Sequence, residues 1–377
     1  MQTVKVNIPH KSYLVHIGCG LLKQIGEFIH TFSPTSTVII SDSTVADLYT
    51  GQVKQNISNY INDIFPAEFL PLSTLQFPAG EANKNLQTFS KIFDELFELK
   101  PAIDRSAMIV GLGGGVSTDI AGFIAATALR GMRWISCPTT LLGAVDASVG
   151  GKTGIDHQAG KNLIGAFHHP SVVVVDIDTL KTLPTEEIQN GLAECIKHAI
   201  IENHTMLDYI ENNAQKLIGD YNSVFPADIL AELVTQNIEI KARIVSQDAN
   251  EKSIRAHLNL GHTIGHALEK IANYDSLKHG QAVALGTICA CKISVDRGLI
   301  NAQFAEKICN LFKKLGLFTK LSNQELDFQQ IWTIMQHDKK NLAGKVRMIL
   351  PTNTGVQIFD DIQKSEVRKA LQEIKID

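Results

Sequence analysis

Histidine and glutamate side chains provide the clearest set of potential metal ligands in this sequence. His262 and His266 lie four residues apart, so a helix would carry both imidazoles on one face. His279 follows after a short loop, and Glu194 stands in a separate helix-like stretch. Two imidazoles and one carboxylate with open positions make up a catalytic Zn²⁺-type site. The spacing leaves open which histidines ligate, and each of them alone also fits a helix-surface or hydrogen-bonded core position.

Glycines stand beside both members of the histidine pair. Gly261 and Gly265 each cost the helix about 1 kcal/mol of propensity relative to alanine. Such a cost is easier to explain if another backbone packs closely there, so the sequence predicts a tight helix contact at this site.

A glycine triplet predicts a nucleotide-binding turn. The stretch from Met108 to Asp119 runs from a buried strand through Gly113, Gly114 and Gly115 into a helix start. Backbone without Cβ atoms and the free N–H groups of a helix start favour a pyrophosphate. The spacing departs from the strict G-x-G-x-x-G pattern, and a tight turn requiring positive φ is the alternative. Asp119 either compensates the helix dipole or reaches a cofactor amide or substrate hydroxyl.

Polar residues follow two further strand-like stretches. Asp42 follows a strand, where an acidic residue commonly binds an adenosine ribose, although a helix N-cap explains it equally well. Glu81 and Lys84 stand in a turn and helix start after the next strand. Because open α/β sheets bind ligands at the carboxyl ends of their strands, all three residues are candidates for the cofactor crevice.

Cations concentrate near these motifs. Lys152 and Lys161 lie in a glycine-rich segment that also contains Asp146 and Asn162. Further cationic or polar candidates are Arg130, Lys241, Arg255, Asn259, Lys339 and Lys340. This density indicates an anionic substrate that carries carboxylate or phosphate groups, against the alternative of solvated surface lysines.

The overall composition excludes several classes of function. The chain has 377 residues, which is long enough for two domains, and its net charge is −4. Without a basic field or a Lys/Arg block, a nucleic-acid partner is not expected. The start of the chain lacks the apolar region of a secretory signal, and no apolar run could span a bilayer. Six scattered cysteines suit reduced thiols, so the sequence predicts a soluble cytoplasmic protein.

The pattern of elements predicts an α/β fold. Strand-like stretches alternate with helix-like ones in the first half, which indicates a Rossmann-like, doubly wound parallel sheet. The predicted strands are 37–41, 68–77, 107–110, 134–136 and 171–176. From Pro184 onward the period is mostly helical, with predicted helices at 186–202, 228–246, 261–272 and 281–297. We therefore expect an NAD-binding α/β domain over residues 1–180 and a mainly α-helical metal- and substrate-binding domain over 181–377.

Long motifs in the chain resemble those of the 3-dehydroquinate synthases, which are sugar-phosphate cyclases. The segments 113–122, 138–156, 160–167, 191–198 and 258–266 carry the resemblance, which extends from about residue 37 to 350. It implies a homodimer that uses NAD and a divalent metal, Zn²⁺ or Co²⁺. The implied reaction converts 3-deoxy-D-arabino-heptulosonate 7-phosphate to 3-dehydroquinate and phosphate in the shikimate pathway. Transient oxidation by NAD, phosphate elimination, reduction and aldol cyclisation are the implied steps.

The resemblance also implies a role for individual residues. Glu194, His262 and His279 would be the metal ligands, and Arg130 would reach across the dimer interface. NAD would contact Asp42, Glu81, Lys84, Gly114, Gly115, Asp119, Thr139 and Thr140. The substrate would contact Asp146, Lys152, Lys161, Asn162, Lys197, Lys241, Arg255, Asn259, His266 and Lys339 or Lys340.

The sequence departs from the family pattern at three positions. Ala144 and His169 stand where the family usually or often has Gln, and Ser253 replaces a usual Gly. None of the three is a proposed ligand. The alternatives are another sugar-phosphate cyclase, whose substrate lacks a carboxylate, and a metal-dependent glycerol or alcohol dehydrogenase. The combination of Lys241 with Arg255 favours the dehydroquinate branch.

Overall fold

The computed structural model describes residues 1–9, 11–66, 69–249, 251, 253–272, 277–321, 327–337 and 346–374. Two compact units make up the chain: Met1–Leu183 with Leu230–Asn250, and Pro184–Ile229 with Glu251–Asp377. The domain boundary expected between residues 180 and 181 stays a prediction. In the structure the segment Leu230–Asn250 groups with the first unit.

A seven-stranded sheet forms the centre of the first unit. The strands of the first unit are β1 (Gln2–Ile8), β2 (Lys11–Gly18), β3 (Thr37–Asp42), β4 (Leu72–Phe77), β5 (Met108–Gly113), β6 (Arg133–Pro138), β7 (Lys152–His157), β8 (Gly160–Phe167) and β9 (Val172–Asp176). Of these, β7 and β8 form a separate pair outside the seven-stranded sheet. The sheet order is β1-β2-β9-β6-β5-β3-β4, and β1–β2 is its antiparallel pair. The neighbours from β2 to β4 are parallel.

Helices surround this sheet and fill the second unit. Along the chain they are α1 (Ile25–His30), α2 (Ser43–Val45), α3 (Gly51–Ile64), α4 (Leu86–Glu98), α5 (Gly115–Thr127), α6 (Thr185–Glu202), α7 (His204–Leu217), α8 (Ala227–Gln247), α9 (His262–Ile271), α10 (His279–Asp296), α11 (Ala302–Lys314), α12 (Phe328–Gln336) and α13 (Lys364–Glu373). The four helices predicted in the second half each begin within two residues of the observed start.

Both faces of the sheet are covered, as a doubly wound fold requires. Val38 and Ile40 on β3 point into a core that also contains side chains of α4 and α5. Ile39, between them, points to the opposite core with side chains of α1 and α3. Because a strand alternates its side chains, burial on both faces explains why β3, β5 and β9 are continuously buried. The predicted α/β fold class is confirmed.

A β-hairpin that was not predicted begins within the glycine-rich segment. In the antiparallel pair β7–β8, Gly154 lies opposite Gly165. A Cβ atom at Gly165 would lie 2.2 Å from the carbonyl oxygen of Thr153, so the two strands approach too closely for any other residue there. Ile155 and Ile164 pack from this hairpin onto the core beneath α4 and α5. The segment that carries the candidate lysines is therefore held against the first unit by its apolar face.

The second unit is mainly helical and contains one short antiparallel hairpin, β10 (Met348–Thr352) with β11 (Gly355–Phe359). Among the residues that the structure describes, no helix combines the length and hydropathy needed to cross a membrane.

Candidate active site

Three side chains of the second unit converge on one point. The Glu194 Oε1 atom lies 3.4 Å from His262 Nε2 and 3.2 Å from His279 Nε2, and Glu194 is fully buried. One ligand atom from each of the three residues lies within 4.8 Å of the other two. A tetrahedral ion with bonds of about 2.1 Å separates its ligand atoms by about 3.4 Å, which matches the two short distances. The three predicted ligands therefore fit a Zn²⁺-type ion.

Hydrogen bonds orient both imidazoles toward Glu194. His262 Nδ1 lies 3.0 Å from the main-chain oxygen of Leu260, so Nδ1–H donates there and the lone pair of Nε2 faces the carboxylate. His279 Nδ1 lies 3.4 Å from Oε1 of the buried Glu269. Burial lowers the pKa of His279, but hydrogen bonds to Glu194 and Glu269 outweigh it and raise that pKa to about 10. A cation is thus strongly favoured at this position.

Glycines bring helices α9 and α10 into backbone contact. A Cβ atom at Gly286 would lie 2.0 Å from the carbonyl oxygen of Gly261, and one at Gly265 would lie 2.9 Å from that of Ala282. Gly261 also has φ of +78°, which favours glycine. The close contact predicted beside the histidine pair is present, and it fixes His262 against the helix that begins with His279.

A fourth glycine joins α10 to α6. A Cβ atom at Gly280 would lie 2.6 Å from Cα of Asn190, and the Gly280 N–H donates to Asn190 Oδ1. Since Asn190 precedes Glu194 by one helical turn, this contact sets His279 beside the carboxylate. The three ligand-bearing helices meet through their main chains.

Lys197 and His266 lie beside the three ligands, and Arg255 and Asn259 lie in the short helical turn that precedes α9 along the chain. Lys197 is almost fully buried, and its Nζ forms an ion pair with Glu194 Oε2. The ring centre of His266 lies 5.1 Å from that of His262 and 6.3 Å from that of His279. Arg255 is 1% exposed, and Asn259 Nδ2 donates to the main-chain oxygen of Ala256 at 3.1 Å. His266 forms a second possible ligand group with Glu269 and His279.

The glycine turn of the first unit has the predicted strand–turn–helix form. Gly113 has φ of +148°, and a Cβ atom there would lie 2.4 Å from Ser117 Oγ. A Cβ atom at Gly114 would lie 3.0 Å from Thr140 Cγ2, whereas one at Gly115 would make only an ordinary van der Waals contact. Gly114 is the N-cap of α5 and brings no side chain to it. A tight turn and an anion-accepting helix start therefore coexist here, rather than excluding each other.

Neighbouring loops are tied to this turn. Asp42 Oδ1 accepts a hydrogen bond from Val45 N at 3.1 Å, which makes Asp42 the N-cap of α2. Its Oδ2 accepts a hydrogen bond from the Ser117 hydroxyl at 2.7 Å. Thr139 N donates to the Gly113 oxygen at 2.9 Å. The capping alternative for Asp42 is thus observed, and its contact with a ribose stays a prediction.

A buried lysine joins several predicted residues of the first unit. Lys84 is 3% exposed, and its Nζ lies 2.6 Å from both Asp119 Oδ2 and Asn162 Oδ1. Burial lowers the pKa of Lys84, but the charges of Asp119 and Glu81 outweigh it and raise that pKa above its ordinary value. Lys161 Nζ lies 3.7 Å from Glu81 Oε1. Candidates assigned to the cofactor and to the substrate thus form one network.

The remaining predicted residues take varied positions. Lys241 Nζ pairs with Asp146 Oδ1 at 2.7 Å within the first unit. Lys152 is exposed at the start of β7, directly after two glycines with positive φ. Arg130 is exposed and has φ of +66°. Lys339 and Lys340 lie outside the described residues.

Family comparisons cover most of the chain. Residues 74–190 match the family described as 3-dehydroquinate synthase N-terminal, and residues 191–341 match the one described as 3-dehydroquinate synthase C-terminal. The chain belongs to the 3-dehydroquinate synthase family. A 3-dehydroquinate synthase of Crocosphaera subtropica is 40% identical over 375 residues, covering 99% of each chain. Another, of Desulforamulus reducens, is 37% identical over 375 residues, covering 99% of this chain and 100% of the relative.

A solved structure supports the fold of this family member. It is 2-deoxy-scyllo-inosose synthase complexed with carbaglucose-6-phosphate, NAD⁺ and Co²⁺. The TM-score is 0.86 at 24% sequence identity, with 99% of this chain and 100% of the other covered. At that identity the likeness establishes the fold.

Two residues at these sites, Glu269 and Asp156, had no role predicted from the sequence. Glu269, which hydrogen-bonds His279, lies three residues after His266, so helical spacing could have found it. Asp156 accepts a hydrogen bond from Asn162 N at 2.7 Å. No comparable sequence signal marks Asp156, because its position depends on the unpredicted hairpin.

Proposed function

We propose that this family member is a 3-dehydroquinate synthase that converts 3-deoxy-D-arabino-heptulosonate 7-phosphate to 3-dehydroquinate and phosphate. The observation that carries the proposal is the convergence of Glu194, His262 and His279, in a chain 37–40% identical over nearly its whole length to enzymes of that name. A non-catalytic family member would not need this ligand set intact. The reaction belongs to the shikimate pathway of aromatic amino acid biosynthesis.

Zn²⁺ or Co²⁺ is the proposed metal, held by Glu194, His262 and His279. Two nitrogen donors and one carboxylate oxygen suit these borderline ions, and three protein ligands leave a position open for substrate. Lys197 forms an ion pair with the second carboxylate oxygen of Glu194, and both side chains are buried. When bound, the metal supplies Lewis-acid polarisation of substrate oxygens, and NAD⁺ supplies reversible hydride transfer.

NAD is the proposed cofactor of the first unit. The uncapped start of α5 behind Gly113, Gly114 and Gly115 would receive the pyrophosphate, because its N–H groups and dipole favour anions. Further proposed NAD contacts are Asp42, Glu81, Lys84, Asp119, Thr139 and Thr140. Lys152 and Lys161 are assigned to both cofactor and substrate.

The proposed substrate residues orient a doubly anionic molecule. They are Asp146, Lys152, Lys161, Asn162, Lys197, Lys241, Arg255, Asn259, His266 and Lys339. Support comes from the ion pairs that fix several of them, such as Lys241 with Asp146. Fixed cations hold the substrate's phosphate close to the carbon that loses its proton. The phosphate acts as the base, so this arrangement raises its effective concentration at that carbon.

The protein is further proposed to act as a cytoplasmic homodimer. Arg130, exposed at a left-handed turn, is the residue proposed to reach across the dimer interface. The support is its charge and exposure, together with the family resemblance.

The proposal is tested by following phosphate release from the heptulosonate phosphate with Zn²⁺ or Co²⁺ and a catalytic amount of NAD⁺. We expect many turnovers per NAD⁺ and formation of 3-dehydroquinate. Stoichiometric accumulation of NADH would instead indicate a dehydrogenase, and preferential turnover of sedoheptulose 7-phosphate would indicate another cyclase.

Matched histidine variants link this activity to the metal site. His262→Ala should abolish both metal retention and turnover. His204→Ala removes a histidine of the same unit that packs on Phe304 and hydrogen-bonds the Ile200 oxygen, and it should retain both. Equal loss in the two variants would contradict the assignment of His262.

A further inference from the structure

Asp156 lies where the β7–β8 hairpin meets the segment that contains Lys84. The hairpin register shifts between Ile155 and His157, so Asp156 is the bulged residue of β7. Its main chain instead pairs with Asn85, and its N–H donates to the Lys84 oxygen at 2.7 Å. The bulge thus frees one peptide of the hairpin to hold the neighbouring segment.

The Asp156 side chain controls the backbone of Asn162. Asp156 Oδ1 accepts a hydrogen bond from Asn162 N at 2.7 Å, across the turn of the hairpin. Asn162 has φ of +54°, a left-handed conformation that asparagine tolerates better than most residues but that still costs energy. A charge-assisted hydrogen bond to its N–H therefore stabilises a conformation that the strand would not otherwise adopt.

This conformation determines what Asn162 contacts. Its side-chain Oδ1 accepts a hydrogen bond from Lys84 Nζ at 2.6 Å, and the same ammonium pairs with Asp119 at 2.6 Å. Lys161, the preceding residue, lies with its Nζ 3.7 Å from Glu81 Oε1. If Asn162 relaxed to an extended backbone, the side-chain amide of Asn162 and the Lys161 side chain would both point in new directions, because successive strand residues face opposite sides.

We propose that Asp156 is a positioning residue. It fixes Asn162 in the left-handed conformation and so sets the positions of Lys161 and Asn162 relative to Lys84 and Glu81. The inference rests on the proposed function, in which those four residues contact NAD and substrate. Asp156 itself acts through Asn162 and touches neither molecule. Its contribution depends mainly on where its oxygen lies, and its negative charge strengthens the same hydrogen bond.

Three variants separate geometry from charge. Asp156→Asn keeps an oxygen acceptor at the same distance and removes the charge. Asp156→Glu keeps the charge and moves the oxygen outward by one methylene. Asp156→Ala removes both, and if that variant does not fold, the Asn and Glu pair still decides the matter. Asp104→Asn serves as the control, because Asp104 accepts hydrogen bonds from Ser106 and Ala107 N–H groups in a loop outside this network.

Two measurements are made on each purified full-length protein. NAD⁺ affinity is measured by calorimetry, and KM and kcat are measured with the heptulosonate phosphate. We expect Asp156→Glu and Asp156→Ala to raise the NAD⁺ dissociation constant and KM about tenfold, the size expected from one half-exposed charge-assisted hydrogen bond. Asp156→Asn should change both by less than about threefold, and kcat should change less than KM in every variant.

Hydrogen exchange of the Asn162 backbone amide, measured by NMR without ligands, tests the role of Asp156 independently of the proposed function. The amide should be protected in the wild type and in Asp156→Asn, and exposed to exchange in Asp156→Glu. If the wild type does not bind NAD⁺, the proposed function fails while amide exchange still tests the role of Asp156. The inference is overturned if Asp156→Glu matches the wild type, if Asp156→Asn is as impaired as Asp156→Ala, or if only the melting temperature changes.

Discussion

Glu269 should control metal affinity although it is not one of the three proposed ligands. Its Oε1 lies 3.4 Å from His279 Nδ1, and the side chain is 2% exposed. A carboxylate behind a ligating imidazole fixes the ring orientation and strengthens the nitrogen as a donor. We expect Glu269→Gln to weaken Zn²⁺ binding, because the amide oxygen still accepts the hydrogen bond but brings no charge.

The sign and size of this effect follow from the geometry. Glu269 also stabilises protonated His279, which competes with the metal, but a divalent ion gains more from the buried negative charge than a proton does. Loss of such a second partner typically costs ten- to a hundredfold in affinity. Because 3.4 Å is long for a hydrogen bond, we expect about tenfold for Glu269→Gln, or about 1.4 kcal/mol. Glu269→Ala, which leaves the imidazole unsupported, should approach a hundredfold.

Competition against a colorimetric zinc chelator measures this affinity directly, without reference to turnover. The matched control is Glu366→Gln, which removes a carboxylate that pairs with Arg297 at 2.6 Å elsewhere in the same unit. The control should bind Zn²⁺ as the wild type does. If Glu269→Gln does so too, Glu269 has no part in orienting His279 and this reasoning is refuted.

The remaining predictions concern the packing and the charges. Gly265→Ala forces α9 and α10 apart, so the free energy of unfolding should fall by about 1–3 kcal/mol in denaturant titrations and Zn²⁺ affinity should fall with it. Lys84→Gln leaves Asp119 without its buried partner and should lower the free energy of unfolding by about 2 kcal/mol and weaken NAD⁺ binding. Lys91→Gln, at an exposed pair, should change neither. The pKa of Glu366 lies below its ordinary value of 4.5 because of the hydrogen bond from its arginine partner. Its stabilisation is therefore complete above pH 4.5 and lost as the pH falls through the folded-state pKa, so the melting temperatures of wild type and Glu366→Gln should converge in acid.

The elements of the sheet and the long helices were predictable because their burial leaves a periodic pattern. The apolar run at Thr37–Asp42 is buried on both faces, and the helix that carries Glu194 begins one residue before the predicted start. The β7–β8 hairpin was missed because its defining contact is the approach of Gly154 to Gly165. Glycine contributes no hydrophobic periodicity, so sequence patterns cannot reveal such a pair.

The candidate site was likewise predictable only in part from the sequence. Residue types and spacing left His262, His266 and His279 as candidate ligands, and only the family resemblance selected His262 and His279 among them. Glycine beside a histidine correctly indicated close packing. The partners that hold those imidazoles were not foreseen, since a main-chain oxygen such as that of Leu260 leaves no trace in residue identity. For the same reason the sequence left Asp42 undecided, whereas the hydrogen bond from Val45 N decides its capping role.

The glycine contacts among α6, α9 and α10 have a consequence for how the protein acquires its ion. Helices that touch through their peptide groups have no intervening side chains whose rearrangement could widen the gap between them. The ordering of Glu194, His262 and His279 is therefore completed when this unit folds. When the metal binds, it then replaces a proton among ligands that are already in place, with little movement of the surrounding chain.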